Sequence, residues 1–150
     1  MRPILVLLFA LAAGGCGAPP GGADTVYGRT AVALEPAERN FMLAEMRQFV
    51  RAIRGIIEGI GDDDMKAAAR SARAVGMEVY RAQISGPSPL AARVAEKLPP
   101  EFQRLGLATR AAFDEMTLHA EQSGDRDQLL ALLADNLRRC VACHATYRFP

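Results

Sequence analysis

Tryptophan is absent from this 150-residue chain, and aromatic residues make up only 6% of it. A β-sandwich draws heavily on aromatic and β-branched residues, so this scarcity, beside abundant Ala and Leu, favours helices. Three cysteines are too few for a disulfide scaffold. Neither sign of charge dominates, with 18 Lys+Arg against 17 Asp+Glu, and 17 against 17 without the Arg2 of a leader. A neutral chain makes no electrostatic case for a nucleic-acid partner. Beyond residue 16 no apolar run approaches the roughly 20 residues needed to cross a bilayer. What is present is ordinary: half the residues are hydrophobic and 23% charged. That balance excludes disorder throughout, and the length suits one domain.

The N-terminus reads as an export signal. Met1-Arg2-Pro3 carries one positive charge, and Ile4 to Ala13 is unbroken apolar sequence. Ten such residues fit the hydrophobic region of a secretory signal and are too few for a membrane span. Leu11-Ala12-Ala13-Gly14-Gly15-Cys16 resembles a bacterial lipobox, departing from it at Ala13, where a larger aliphatic residue is commoner. The resemblance implies lipidation of Cys16; the alternative is signal cleavage nearby with an incidental cysteine. Residues 1–15 are then a signal peptide, 16–34 a flexible Gly/Pro-rich tether, and 35–150 the domain. The expected location is periplasmic, with membrane contact only through acyl chains on Cys16.

Four long helices are expected. Helix A spans about Pro36 to Ile60, with Pro36 suited to a first turn and Glu35 and Glu38 to the positive end of the dipole. Its seam of Met42, Met46, Phe49, Ile53, Ile56 and Ile60 repeats at spacings 4, 3, 4, 3, 4. Asp62-Asp63-Asp64 caps helix B, about Asp63 to Ile84. A short helix covers Leu90 to Lys97, helix C about Pro100 to Gln122, and helix D about Arg126 to Tyr147. No alternating stretch is long enough to need a sheet. Short links between helices suggest an all-α antiparallel four-helix bundle.

Five residues carry the chemistry. Cys140-Val141-Ala142-Cys143-His144 matches Cys-x-x-Cys-His, the attachment signature of c-type haem. Two thiols three apart share one side of a helix and can add to the two vinyl groups of one porphyrin, while the adjacent imidazole reaches the iron. A thioredoxin-like Cys-x-x-Cys belongs near a βαβ pattern, which this chain lacks. A zinc site would want more Cys and His. One cysteine for a lipid and two for haem c leaves none over.

A helical domain ending Arg138-Arg139-Cys140-Val141-Ala142-Cys143-His144-Ala145-Thr146-Tyr147-Arg148 resembles the cytochrome c′ family, over roughly residues 35–150. In that family the signature sits in the last helix of a four-helix bundle. The resemblance implies Cys140 and Cys143 as thioether sites, His144 as the proximal ligand, and a helix A residue closing the distal side. A helix A Met gives six-coordinate low-spin iron suited to electron transfer; an apolar residue leaves an open site for NO or CO. In up-down order, Met42 and Met46 face the core near the haem end, and Met77 and Tyr80 could also reach it. Met116 and His119 lie 16 and 19 residues after Pro100, about 24–28 Å along the axis, and Met65 begins helix B. Met46, deeper in the bundle, is the preferred distal ligand and Met42 the second; Leu43 or Met46 could instead cap an open site.

Phe102, Leu105 and Tyr147 are candidate pocket residues, and Arg39, Arg47, Arg138 and Arg148 candidate partners of haem propionates. His119 reads as a hydrogen-bonded polar residue. The expected function is exported single-electron transfer between respiratory redox partners by one His/Met-ligated haem, not an enzyme. The alternative is gas binding or sequestration. Peroxidase chemistry has no distal His/Arg pair to support it. The family's habit of pairing through helices A and B, with the alanine-rich face of helix B, permits a homodimer.

Overall fold

The structure, a computed structural model, describes residues 25–26 and 28–150. The expected signal peptide and Cys16 lie outside these residues. The described chain is mostly helical. Six helices run in order: α1 Pro36–Gly61, α2 Met65–Arg73, α3 Met77–Ser85, α4 Leu90–Lys97, α5 Pro100–Gln122 and α6 Arg126–Thr146. Among the described residues, no helix is long and apolar enough to cross a membrane.

Local chemistry explains most boundaries. Pro36 opens α1, and the Glu38 carboxylate accepts from the Glu35 backbone N–H at 2.9 Å. Asp64 caps α2 by accepting from the Ala67 N–H at 2.8 Å. Gly124, at φ 65°, turns the chain between α5 and α6, and Asp125 caps α6 through the Gln128 N–H at 3.0 Å.

Three expectations are corrected. Helix B is not continuous: it stops at Arg73 and restarts at Met77. The cause is tertiary, because the Asp114 carboxylate of α5 accepts from the Met77 N–H at 3.2 Å and so caps a new helix. Gly76 lets it approach, since a Cβ there would collide with the Asp114 side chain. Second, a small sheet exists. Strands β1 Thr25–Val26 and β2 Arg29–Ala31 pair antiparallel, and β2 pairs parallel with β3 Tyr147–Arg148. Tyr147 is thus in a strand rather than in helix D. Third, residues 16–34 are not all tether, since Val32 is buried in the domain.

The close helix pairs are α1–α2, α2–α5 and α5–α6. One core joins Ile56 and Ile60 of α1, Ala68, Ala69 and Ala72 of α2, Phe113 and Met116 of α5, and Leu129 and Leu133 of α6. The alanine face expected to permit a homodimer is therefore consumed inside the chain. A second core, at the other end, gathers Val32, Met42, Val94 and Phe102, with Met46, Cys143, Tyr147 and Phe149 packed against it.

Candidate functional site

The last turns of α6 carry Cys140, Cys143 and His144, and of the three Cys143 packs against this second core. The two cysteines are half-buried and His144 is exposed. Cys143 packs against the cluster that holds Met42 and Phe102. Both thiols are unpaired. Burial pushes the pKa of Cys140 up, against a smaller opposing effect from its backbone hydrogen bond and from Arg139. Burial raises Cys143 as well, with Cys140 adding to the effect. A disulfide oxidoreductase needs the opposite, a stabilised thiolate. The ring of His144 has no hydrogen-bond partner among the described residues.

An aromatic cap closes the end of this core. Phe102 meets Tyr147 edge-on with centroids 5.2 Å apart, and Phe149 at 5.9 Å. Both α1 methionines reach the same cluster, Met42 buried within it and Met46 half-buried against it. Beside them, between α1, α3, α4 and α5, is a cavity of about 80 Å³, lined in part by Phe41, Met42, Met46, Val94, Leu98 and Phe102.

Sequence reasoning missed the polar corner of that cavity. Arg110 donates to Glu45 at 2.6 Å and to the Val75 carbonyl at 3.2 Å. Its guanidinium lies over the rings of Phe49 (4.9 Å) and Tyr80 (5.1 Å). Gln83 of α3 donates to the other Glu45 oxygen at 3.0 Å. The signal was present: Glu45 falls three after Met42 and four before Phe49, a charge inside an apolar seam.

Of the expected positions, Phe102 and Tyr147 meet at the site, whereas Leu105 is half-buried and belongs to neither the cluster nor the cavity lining. Tyr80 lines the cavity, but Met77, capped by Asp114, does not. Met116 and Met65 belong to the first core. His119 lies in the last turn of α5, with Nε2 2.9 Å from the Asp125 carbonyl. Arg47 is exposed, and Arg138 pairs with Asp135 at 3.4 Å on the surface. Arg148 is half-buried in β3. The Nε of Arg39 is buried without a hydrogen-bond partner among the described residues.

No protein-family model, curated protein or solved structure matches the chain. Its chemistry must be read from the site itself. Two half-buried thiols three apart, an apolar bed, and an imidazole and a buried Arg39 Nε without hydrogen-bond partners among the described residues are donors of the kind that would suit a covalently held haem. The cavity alone would not enclose one. Its volume is well under the roughly 300–1,000 Å³ of small-molecule sites.

Proposed function

We propose that the chain is an exported c-type cytochrome of the cytochrome c′ kind, carrying one haem c and passing single electrons between redox proteins. The reading rests on one observation: a Cys-x-x-Cys-His on the final helix whose thiols are half-buried, with Cys143 packed against a cluster that also contains two methionines of α1. We take α1, the α2–α3 pair, α5 and α6 as the four arms of an antiparallel bundle, with α4 inserted in the link. When bound, the haem supplies an iron(II)/iron(III) couple.

Cys140 and Cys143 hold the group as thioethers, and His144 presents its imidazole as proximal ligand. Met46 is the distal ligand, with Met42 second. Arg39 offers its buried donor to a propionate. Phe102, Tyr147 and the surrounding apolar side chains keep water out, and a His/Met ligand pair in a dry setting has a raised potential. Cys16 carries the lipid that ties the domain to the membrane.

The test is an absorption spectrum of protein matured in a host that attaches c-type haem. The expected result is a low-spin ferric spectrum with bands of Met–iron ligation, converted to a high-spin spectrum by Met46→Ala. A colourless product, or pigment extracted by acidified organic solvent, defeats the haem reading. An unchanged M46A spectrum moves the distal role to Met42.

A second reading is supported by the cavity beside Met42 and Met46, which is apolar over most of its wall and of a size for small gases. Under it the iron is five-coordinate and binds NO or CO. A high-spin wild-type spectrum with rapid CO binding selects this alternative.

A further inference from the structure

The neutral balance of the chain conceals a division by sign. The two cores mark its two ends: Met42, Phe102 and Cys143 stand in or against the second, and Ile60, Met116 and Leu129 in the first. With α1, α5 and α6 divided at their middles, the half that carries the Cys-x-x-Cys-His (residues 28–48, 77–111 and 137–150) has 11 Lys/Arg against 6 Asp/Glu. The half around the first core (residues 49–76 and 112–136) has 6 against 10. Internal pairing does not erase the difference. In the acidic half Arg54, Arg70, Arg73 and Arg126 are each paired with a carboxylate. In the basic half Arg47, Arg81 and Arg93 are exposed, and their guanidinium groups make no hydrogen bond or ion pair among the described residues. Arg138 and Arg139 share the single Asp135 carboxylate.

We infer that the basic end, with Arg47, Arg81 and Arg93 at its surface, is the docking surface for a redox protein whose own face is acidic. The inference rests on the reading of the chain as a haem-carrying electron carrier. Two ends of opposite sign act as a fixed dipole. An acidic face is drawn to one end and repelled by the other, so encounters arrive with the Cys-x-x-Cys-His end turned toward the partner. The same half also exposes Glu35, Glu78 and Glu96. A protein can match such a mixed pattern residue by residue, whereas an anionic bilayer or a nucleic acid presents negative charge throughout. Each productive encounter passes one electron, the partner's cofactor losing or gaining one as the iron gains or loses one.

The test uses the holoprotein, with the hydroquinone form of a flavodoxin, an acidic one-electron donor, as the probe. Stopped-flow reduction of the ferric haem is expected to slow about ten-fold or more between about 10 mM and about 300 mM salt, as the field is screened. Arg47→Glu/Arg81→Glu/Arg93→Glu should lose a similar factor at low salt, and Arg→Gln at the same three positions a smaller one. Arg54→Glu/Lys66→Glu/Arg70→Glu makes the same change in net charge at the opposite end and should react nearly as the wild type does. Equal losses from the two Glu triples mean that net charge alone acts, and they overturn the docking surface, as does a rate that ignores salt. In isotope-labelled ferrous holoprotein, amide shifts on adding oxidised flavodoxin should gather around residues 47, 81 and 93; shifts gathered at the α1–α2 and α5–α6 turns overturn the inference. Displacement of the flavodoxin by phosphatidylglycerol but not phosphatidylcholine vesicles assigns the basic end to lipid, and head-to-tail association of the holoprotein at low salt assigns it to a second copy; either overturns the protein partner. Absence of a haem spectrum, seen before any probe is added, overturns instead the functional reading beneath.

Discussion

Glu45 and Arg110 are a buried charged pair whose side chains are 13% and 9% exposed. Such a pair adds little net stability, because desolvation offsets its attraction, but removing one partner strands the other. Arg110→Ala should therefore cost about 3 kcal/mol in urea unfolding, and Glu45→Gln less, since the amide can still accept from Arg110. The double variant Glu45→Leu/Arg110→Met should recover most of the loss; a double variant as unstable as R110A would show the pair is not the cause. Glu38 gives a pH-dependent contribution. Lys97 donates to it at 2.8 Å and the Glu35 N–H at 2.9 Å, and these bonds hold its carboxyl below the ordinary 4.5. A lowered folded-state pKa stabilises the fold above the unfolded value and loses that contribution as the pH falls below it. Glu38→Gln should therefore lower the melting temperature at pH 7, and the difference from wild type should shrink as the pH falls below 4.5.

At the scale of elements, α1 and α2 touch because α1 has glycine where they cross. A Cβ on Gly59 would lie 2.6 Å from the Ala68 backbone nitrogen and 2.9 Å from the Asp64 carbonyl oxygen. Backbone cannot yield as a flexible side chain can, so Gly59→Val should destabilise by about 2–3 kcal/mol through overpacking. Gly61→Ala, with open space at its Cβ, is the control and should change stability little. The same comparison explains what the sequence disclosed. The seam from Met42 to Ile60, Pro36, Asp64 and Asp125 are local signals, and the bounds of α1, α4, α5 and α6 follow from them within a residue or so. The break in helix B did not show because its cap, Asp114, comes from another helix. The sheet did not show because strands of two or three residues carry no periodicity and pair across opposite ends of the chain. At the site, the cysteines, His144, Phe102 and the α1 methionines were legible from motif and spacing. The Glu45–Arg110 corner was overlooked because a helix seam was read for its apolar members alone.

The molecule as a whole has two cores of unequal security. The first draws on α1, α2, α5 and α6, and contains Ile56, Phe113 and Met116, all fully buried. The second rests on α4, the strands and the half-buried Cys143 and Met46. Between them α3 buries none of its residues and is held by the Asp114 cap, the Gln83–Glu45 bond and the Tyr80–Arg110 contact. Local opening follows such differences in burial. In a Cys140→Ser/Cys143→Ser chain, which has no thiol to attach haem, the backbone amides of Ile56 and Phe113 should exchange only through global unfolding. Those of residues 77–85 should exchange orders of magnitude faster, and those of 90–97 at intermediate rates. Attaching haem adds apolar surface to the second core alone. Exchange over 90–97 and the first turns of α1 should then slow more than exchange at Phe113, apart from any rise in global stability. Uniform slowing across all six helices would mean that the two cores unfold as one unit, and that the haem end has no independent opening to restrain.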